Sequence, residues 1–168
     1  MRVAFLDRDG TIVSDYSDEL WSNVQSPDFL RGSIEALRNI QNKGYSIFII
    51  TNQYIINEGF INDDQYNSFN NKMLGTLSEE KIKIERVYYC PHARNENCSS
   101  TKPNPGMIER ALKEYPSIEI DKSFLVGDSI ADSKLAKHFN LKFFGIQQGG
   151  QYGYGEQVDS LYEASLLI

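Results

Sequence analysis

Short apolar runs alternate with segments of helical periodicity along this chain. The first run, Val3 to Leu6, is continuous, which is typical of a strand that is buried on both faces of a sheet. Further strands are predicted at Tyr45 to Ile50, Ile84 to Tyr89, Ser123 to Val126 and Leu141 to Ile146. This alternation predicts an α/β protein with a Rossmann-like parallel sheet flanked by helices.

Apolar residues three or four positions apart predict helices between these runs. They are Ile34, Leu37 and Ile40; Tyr66, Phe69, Met73 and Leu77; and Ile108, Ala111, Leu112 and Tyr115. Asn62 and Gln65 resemble a capping box before the second helix. Asn104 and Pro105 are expected to begin the third helix, as its cap and its first residue. Gly149-Gly150 and Gly153 to Gly155 predict a loose loop late in the chain.

Size and charge exclude several classes of protein. With 168 residues the chain has the length of one domain, and we expect a single domain over residues 1–168. The net charge of −6 argues against nucleic acid as a partner, because nucleic-acid binding depends on neutralising backbone phosphates. The longest apolar run, Ile47 to Ile50, is too short to span a bilayer, and the N-terminus is unlike a signal peptide. We therefore expect a cytoplasmic protein with no membrane partner, either a monomer or a small homo-oligomer.

Polar residues follow the predicted strands at the edge where open parallel sheets bind ligands. Asp7-Arg8-Asp9-Gly10-Thr11 follows the first strand and Thr51-Asn52-Gln53 the second. Lys102 lies in the loop after the third, and Gly127-Asp128 ends the fourth, with Asp132 nearby. Such a set suits metal-assisted phosphoryl transfer: one carboxylate attacks phosphorus and a second acid protonates the leaving oxygen. A metal and a cation offset the charge on the phosphoryl oxygens.

This order of motifs resembles the haloacid dehalogenase superfamily, over Val3 to about Asp132. Its pattern is an apolar strand ending in DxDG(T/S), then T/S, then K, then GD with a further acid. The resemblance implies a magnesium-dependent phosphatase that acts on a small phosphorylated metabolite through an aspartyl-phosphate. The spacers 10–51 and 53–102 leave no room for a separate cap domain, so we expect loops 15–28 and 93–101 to select the substrate.

The resemblance also implies a role for each matching residue. Asp7 is the nucleophile and a magnesium ligand. Asp9 is the general acid and then the base, and its backbone carbonyl contacts the metal. Thr51 binds the transferring phosphoryl group, and Lys102 neutralises it. Asp128 completes the protein's magnesium ligands.

Residues beside these positions are candidates for contact with the substrate: Arg8, Asn52, Gln53 and Thr101. Asp132 has two interpretations. It steadies the metal-binding edge through hydrogen bonds, or it is an acid favoured at a helix N-terminus by the helix dipole.

Cys90, His92 and Cys98 cluster after the third predicted strand, which in a cytosolic protein indicates a metal site. The segments FLDRDGT, TNQ and YYCPH resemble the branch of heptose-bisphosphate and histidinol-phosphate phosphatases. That branch usually carries a structural zinc on CxH followed by CxC, and then RKP. Here Ser100 replaces the last cysteine and Thr101 the arginine, and serine is a poor zinc ligand. Two interpretations remain open: three ligands that hold Zn²⁺ weakly, or a loop held by packing alone.

The substrate is also left open. Ser129 stands where heptose-type relatives often have lysine, whereas the short spacing from Cys90 to Cys98 resembles the histidinol-phosphate type. The candidates are a sugar phosphate such as D-glycero-D-manno-heptose 1,7-bisphosphate, and histidinol phosphate. Polynucleotide end phosphatases share the DxDGT and TNQ layout, but the acidic charge counts against them. A receiver domain would carry its phospho-accepting Asp after the third strand, where this chain has Tyr89-Cys90-Pro91-His92.

Overall fold

One parallel sheet organises the chain, whose computed structural model describes residues 1–146 and 153–168. Within these residues the strands are β1 (Val3–Leu6), β2 (Ser46–Asn52), β3 (Ile84–Cys90), β4 (Phe124–Gly127), β5 (Lys142–Ile146) and β6 (Glu156–Val158). Neighbouring strands pair in parallel, in the order β3-β2-β1-β4-β5-β6. The order reverses between β1 and β4, and such a reversal opens a ligand-binding crevice beyond the carboxyl ends of the two strands.

Helices cover both faces of this sheet. They are α1 (Ser33–Asn42), α2 (Asp63–Glu79), α3 (Gly106–Glu114), α4 (Ile130–His138) and α5 (Leu161–Leu167), with 3₁₀ turns at Asp18–Asn23 and Ile120–Lys122. Side chains alternate between the faces along β1: Leu6 packs in the core with α1, α2 and α5, and Phe5 in the core with α3 and α4. Because both faces are covered, the strands are apolar without interruption.

The predicted fold class is confirmed, and most of the predicted elements lie where the sequence placed them. The capping box of α2 is present, since the backbone N of Gln65 donates to Asn62 Oδ1 at 2.8 Å and the backbone N of Asn62 to Gln65 Oε1 at 3.0 Å. The predicted start of α3 was wrong. Asn104 donates its side-chain amide to the carbonyl of Cys98 at 2.8 Å, so Pro105 becomes the N-cap.

The sequence did not predict β6 or α5. The part of the predicted late loop at Gly149-Gly150 lies outside the described residues, and residues 153–155 form bends before β6. Among the described helices, none combines the length and apolar character needed to cross a membrane.

Candidate active site

A cleft of about 280 Å³ lies at the edge of the sheet where β1, β2 and β4 end. The residues predicted to carry the chemistry line it together: Asp7, Asp9, Thr51, Lys102 and Asp128. Asp7 directly follows β1 and Asp128 directly follows β4, so the two acids flank the reversal in strand order. The cleft therefore lies where the topology of an open parallel sheet predicts a ligand site.

Lys102 is buried at the floor of this cleft between two carboxylates. Its Nζ lies 2.8 Å from Asp7 Oδ1 and 2.7 Å from Asp132 Oδ1, and it donates to the carbonyl of Ile50 at 3.0 Å. Burial by itself would lower the pKa of Lys102, but Asp132 and Asp7 together raise it above its ordinary value. The ammonium therefore stays charged and ties the loop after β3 to β1 and α4.

Three acids crowd around this lysine: oxygens of Asp7, Asp128 and Asp132 lie within 4.8 Å of one another. Burial raises the pKa of Asp7 well above its ordinary value; Lys102 opposes this shift, and the neighbouring acids add to it. Burial and then Asp132 raise the pKa of Asp128 to about 6. Ionised carboxylates held this close need a cation, and an all-oxygen set suits a hard divalent ion such as Mg²⁺.

Asp132 makes the hydrogen bonds that one of its two interpretations requires. It is fully buried in the first turn of α4, and its Oδ2 accepts from Ser129 Oγ at 2.5 Å and from the backbone N of Ser129 at 3.2 Å. Its own backbone N donates to Ser129 Oγ at 3.3 Å, which completes a capping box. Asp132 thus fixes both the start of α4 and the position of Lys102.

Two glycines make room for these acids. Gly10 has a φ of +78°, and a Cβ built on it would lie 2.0 Å from Asp128 Oδ2. A Cβ on Gly127 would lie 2.3 Å from Asp132 Cγ. Each motif glycine is therefore required by close approach of a carboxylate, and Gly10 also by a left-handed backbone.

Thr51 and Asn52 at the end of β2, and Gln53 directly after it, have different partners. Thr51 lines the cleft, and its Oγ1 accepts from Gln53 Nε2 at 2.8 Å. Asn52 also lines the cleft, but its amide pairs with the backbone of Lys102: Nδ2 donates to the carbonyl at 3.0 Å, and Oδ1 accepts from the N–H at 2.8 Å. Asn52 therefore positions the lysine loop against β2. Gln53 also donates to Asp9 Oδ2, at 2.7 Å.

Two predicted substrate contacts, Arg8 and Thr101, are not among the residues that line the cleft. Arg8 is buried and bonds to Asp9 and Gln53. Thr101 places its Oγ1 3.0 Å from Cys90 Sγ, on the side of the cysteine cluster. Both side chains are thus engaged by protein groups, and their contact with the substrate stays a prediction.

Further lining residues were not named individually from the sequence, among them Asp15, Trp21 and Tyr54. Asp15 and Trp21 belong to the loop 15–28 that was expected to select the substrate. Burial, and to a smaller extent the charge of Asp9, raises the pKa of Asp15. Tyr54 donates its hydroxyl to Asp18 Oδ1 at 3.0 Å, and the guanidinium of Arg94 lies 4.2 Å from the centre of its ring. These contacts are between distant loops, so no local pattern in the sequence indicates them.

The cysteine cluster, Cys90, His92 and Cys98, lies beside Thr101 in the loop that carries Lys102. Single ligand atoms of Cys90, His92 and Cys98 lie within 4.8 Å of one another. Burial raises the pKa of the Cys90 thiol, whereas a hydrogen bond from the backbone N of Ser100 at 3.4 Å lowers the pKa of Cys98. Three soft donors are thus close enough together to share one metal ion.

Comparison with known proteins places this site in context. Residues 2–146 match the family model described as polynucleotide kinase 3 phosphatase. The chain is 33% identical over 147 residues to D-glycero-beta-D-manno-heptose-1,7-bisphosphate 7-phosphatase of Pasteurella multocida, a match that covers 84% of this chain and 78% of the relative. It is 35% identical over 146 residues to the probable D-glycero-D-manno-heptose-1,7-bisphosphate 7-phosphatase of Thermoplasma acidophilum, covering 85% of this chain and 88% of that one.

A solved structure shares the whole fold. D,D-heptose 1,7-bisphosphate phosphatase from B. bronchiseptica, crystallised with magnesium and phosphate, superposes with a TM-score of 0.88 at 23% sequence identity. The superposition covers 99% of this chain and 97% of that chain.

The buried ion pairs of Lys102 give a first prediction, on stability. Lys102→Met leaves Asp7 and Asp132 without their counter-ion, so the free energy of unfolding should fall by about 3–5 kcal/mol. Adding Asp132→Asn removes one of the stranded charges, so the double variant should be less destabilised than the sum of the single effects, by about 1–3 kcal/mol. Urea unfolding of the four proteins measures this coupling.

The matched control is Lys122→Met, since Lys122 forms its ion pair with Glu119 on the surface. That change should leave stability nearly unaltered. Simple additivity of Lys102→Met and Asp132→Asn would show that the buried contact contributes nothing specific.

Proposed function

Since the chain belongs to the polynucleotide kinase 3 phosphatase family, and with it to the heptose-bisphosphate phosphatase branch of the haloacid dehalogenase superfamily, we propose that it hydrolyses the phosphomonoester of a small sugar-like alcohol with the help of Mg²⁺. The chain is a phosphatase, and the proposal concerns its substrate, its metal and the roles of its residues. One observation carries these roles: the Asp7 carboxylate lies in the cleft beside Lys102, with Asp9 and Asp128 lining the same space.

The chemistry follows from this placement. A carboxylate oxygen of Asp7 forms a bond to phosphorus, and the bond from phosphorus to the ester oxygen breaks. Asp9 gives its proton to the departing oxygen, so that an alcohol leaves and Asp7 carries the phosphoryl group. The oxygen of a water molecule then forms a bond to phosphorus, the bond from phosphorus to Asp7 breaks, and the water gives a proton back to Asp9. Phosphate leaves, and the Asp7 carboxylate is restored. Lys102 offsets the negative charge on the phosphoryl oxygens.

The residues at the cleft suit Mg²⁺. The carboxylates of Asp7 and Asp128 and the backbone carbonyl of Asp9 would hold the ion. The pKa values of both carboxyls are raised first by burial and also by neighbouring acids, whose charge a cation would offset. When bound, Mg²⁺ supplies a positive charge that polarises the phosphoryl group.

The charge of the cleft bears on the substrate. Lys102 is the one cation among the described lining residues, and it is already paired with Asp7 and Asp132. Positions 147–152, outside the described residues, contain no Lys or Arg. A heptose bisphosphate remains the first candidate because the relatives are named for it. Since the described lining offers no further cation, we expect the cleft to recognise its sugar and not its second phosphate. Histidinol phosphate is the second candidate, because its ammonium group would find the carboxylate of Asp15 in the cleft.

Nucleic acid is a less favoured substrate despite the family's name. The net charge of −6 opposes approach of a polyanion. A small ester needs only the local positive charge of a metal and one lysine, which a negatively charged protein can still provide. We therefore infer that the ester is a metabolite.

A panel of esters tests the proposed function. Purified protein with Mg²⁺ should release phosphate from D-glycero-D-manno-heptose 1,7-bisphosphate or histidinol phosphate, and much more slowly from a 3′-phosphorylated DNA oligonucleotide. Asp7→Asn should abolish release while the circular dichroism spectrum stays unchanged, since an amide cannot act as the nucleophile. Asp9→Asn should be nearly as damaging. Wild-type release by Asp7→Asn, or a preference for the oligonucleotide, would contradict the proposal.

A second prediction concerns the metal. Turnover should stop in excess EDTA and return when Mg²⁺ is restored. The pKa of Asp128 rises from 3.8 to about 6 on folding, so the folded state binds the proton more tightly and ionisation above that pH destabilises it. In EDTA at pH 7, Asp128→Asn should therefore be more stable than wild type, by on the order of 1 kcal/mol or about 2–4 °C.

This difference should shrink as the pH falls from about 6 towards 3.8, where the wild-type carboxyl becomes protonated. Added Mg²⁺ should raise the melting temperature of wild type but not of Asp128→Asn, because a ligand bound only by the folded state stabilises it. Equal Mg²⁺-induced shifts in both proteins would rule out Asp128 as a ligand.

The cysteine cluster supports a separate proposal, that Cys90, His92 and Cys98 hold Zn²⁺ weakly. Their donor atoms lie close together, and thiolate and imidazole are the ligands that zinc prefers. A closed structural site needs four ligands, and Ser100 stands where the branch has the fourth. When bound, Zn²⁺ would crosslink the loop without taking part in the reaction.

Restoring the fourth ligand tests this reading. Zinc in the native protein should be substoichiometric, and Ser100→Cys should raise both zinc content and melting temperature. Turnover should change less than stability, and Ser100→Ala serves as the matched control. Metal analysis and calorimetry decide the matter: one tightly held zinc per native chain, or no gain in Ser100→Cys, would contradict a weakened site.

A further inference from the structure

Arg8 lies between the two catalytic acids in sequence, yet it faces away from the substrate cleft. It is the largest of the fully buried side chains, with 1% of its surface exposed. It lines a separate internal cavity of about 10 Å³ together with aromatic side chains of the loop after β1 and of α2. An arginine is costly to bury, so its place here calls for a reason beyond packing.

The guanidinium forms a bidentate contact with Asp9. Its Nε donates to Asp9 Oδ1 at 2.8 Å and its Nη2 to Asp9 Oδ2 at 3.0 Å. Gln53 closes a triangle: Nη2 of Arg8 donates to Gln53 Oε1 at 2.9 Å, and Gln53 Nε2 donates to Asp9 Oδ2 at 2.7 Å. Such fork-shaped contacts fix the orientation of a carboxylate as well as its position.

Three aromatic rings hold the guanidinium in turn. Its Cζ lies 4.8 Å from the ring centre of Phe69, 5.5 Å from that of Tyr66 and 5.7 Å from that of Trp21. Aromatic faces attract a desolvated cation, so these three rings, the aromatic box, stabilise the guanidinium without a second carboxylate. The described contacts therefore join α2 and the loop after β1 to one carboxylate, that of Asp9.

The bonds to Asp9 leave one acceptor position free. A carboxylate offers about four lone-pair sites, of which Arg8 and Gln53 occupy one on Oδ1 and two on Oδ2. The open site is on Oδ1, and 14% of the Asp9 side chain remains exposed at the cleft. A proton carried by Asp9 would occupy this site.

We propose that Arg8 and Gln53 are positioning residues, which hold the Asp9 carboxylate so that the free lone pair of Oδ1 exchanges its proton with the ester oxygen. The inference rests on the proposed function, because it assumes that Asp9 is the proton donor. Arg8 does not line the cleft, and the amide of Gln53, which does line it, is engaged by Arg8, Asp9 and Thr51. The contribution of Arg8 and Gln53 should therefore depend on how much the leaving oxygen needs a proton, and not on how tightly the ester binds.

Two esters with different leaving groups test this dependence. An alkyl phosphate such as a hexose phosphate or histidinol phosphate leaves as a strongly basic alkoxide and needs the proton, whereas p-nitrophenyl phosphate leaves as a stable phenolate. The ratio kcat/KM reports the steps up to departure of this group. Gln53→Leu and Arg8→Met should lower kcat/KM for the alkyl ester by about 100-fold and for the aryl ester by less than about 5-fold.

Controls separate positioning from folding. Asp9→Asn should show the same pattern with a larger alkyl loss, and Arg8→Lys should recover little, since an ammonium cannot form the bidentate contact. Arg38→Met, which removes an arginine exposed on α1, should leave both ratios unchanged. Should Arg8→Met fail to fold, Gln53→Leu still decides, because it leaves the aromatic box intact while it removes the bonds of Gln53 to Asp9, Arg8 and Thr51. Thr51→Val, which removes the bond to Thr51 alone, shows how much of any loss comes from Thr51.

The outcomes are distinct. Equal losses with both esters in folded Gln53→Leu would overturn the inference, because a merely structural role lowers both alike. An unchanged kcat/KM for the alkyl ester in Gln53→Leu would also overturn the inference. If wild-type protein releases phosphate from neither ester, the proposed function fails instead.

Discussion

The buried ammonium of Lys102 is the contact on which the rest of this site depends. It lies within 2.8 Å of Asp7 and 2.7 Å of Asp132, and so connects the end of β1, the start of α4 and the loop after β3. Without it, three carboxylates whose oxygens lie within 4.8 Å of one another would repel in a buried setting. Burial, and then the charge of Asp132, raise the pKa of Asp128. A divalent cation held at this cluster would offset the charge of these acids.

This arrangement places function and stability in opposition. Gly10 and Gly127 have no side chain, which lets Asp128 and Asp132 approach the backbone closely. The energy needed to hold such a site comes from the two apolar cores that enclose the sheet, whose central strand β1 is fully buried. A site of this kind is expected to be less stable than one with neutral side chains, since strain and uncompensated charge collect at functional positions.

Much of this was open to prediction from sequence, for physical reasons. Strand β1 and the Asp7 motif are local: a continuous apolar run predicts a buried strand, and topology then brings the ends of the strands together. Adjacency in sequence does not tell which way a side chain points, and Arg8 and Thr101 are not among the residues that line the cleft. Arg8 turns towards rings on α2, which a reading of the motif alone does not include. Asn104 does not cap α3, because its side-chain NH2 donates to the carbonyl of Cys98 and so directs the side chain to the preceding loop.

The loop after β3 explains how a zinc ligand can be lost without loss of the site. Lys102 must be held at a fixed height above the sheet, and Asn52 does this directly by two hydrogen bonds to its backbone. Thr101 contacts the sulfur of Cys90, and Asn104 bonds to the carbonyl of Cys98, so both ends of the cysteine segment are tied without any metal. Zinc would then add rigidity to a loop whose lysine is already positioned from β2. Lys102 is held by Asn52 and by the bridge to Asp132, neither of which depends on a fourth zinc ligand.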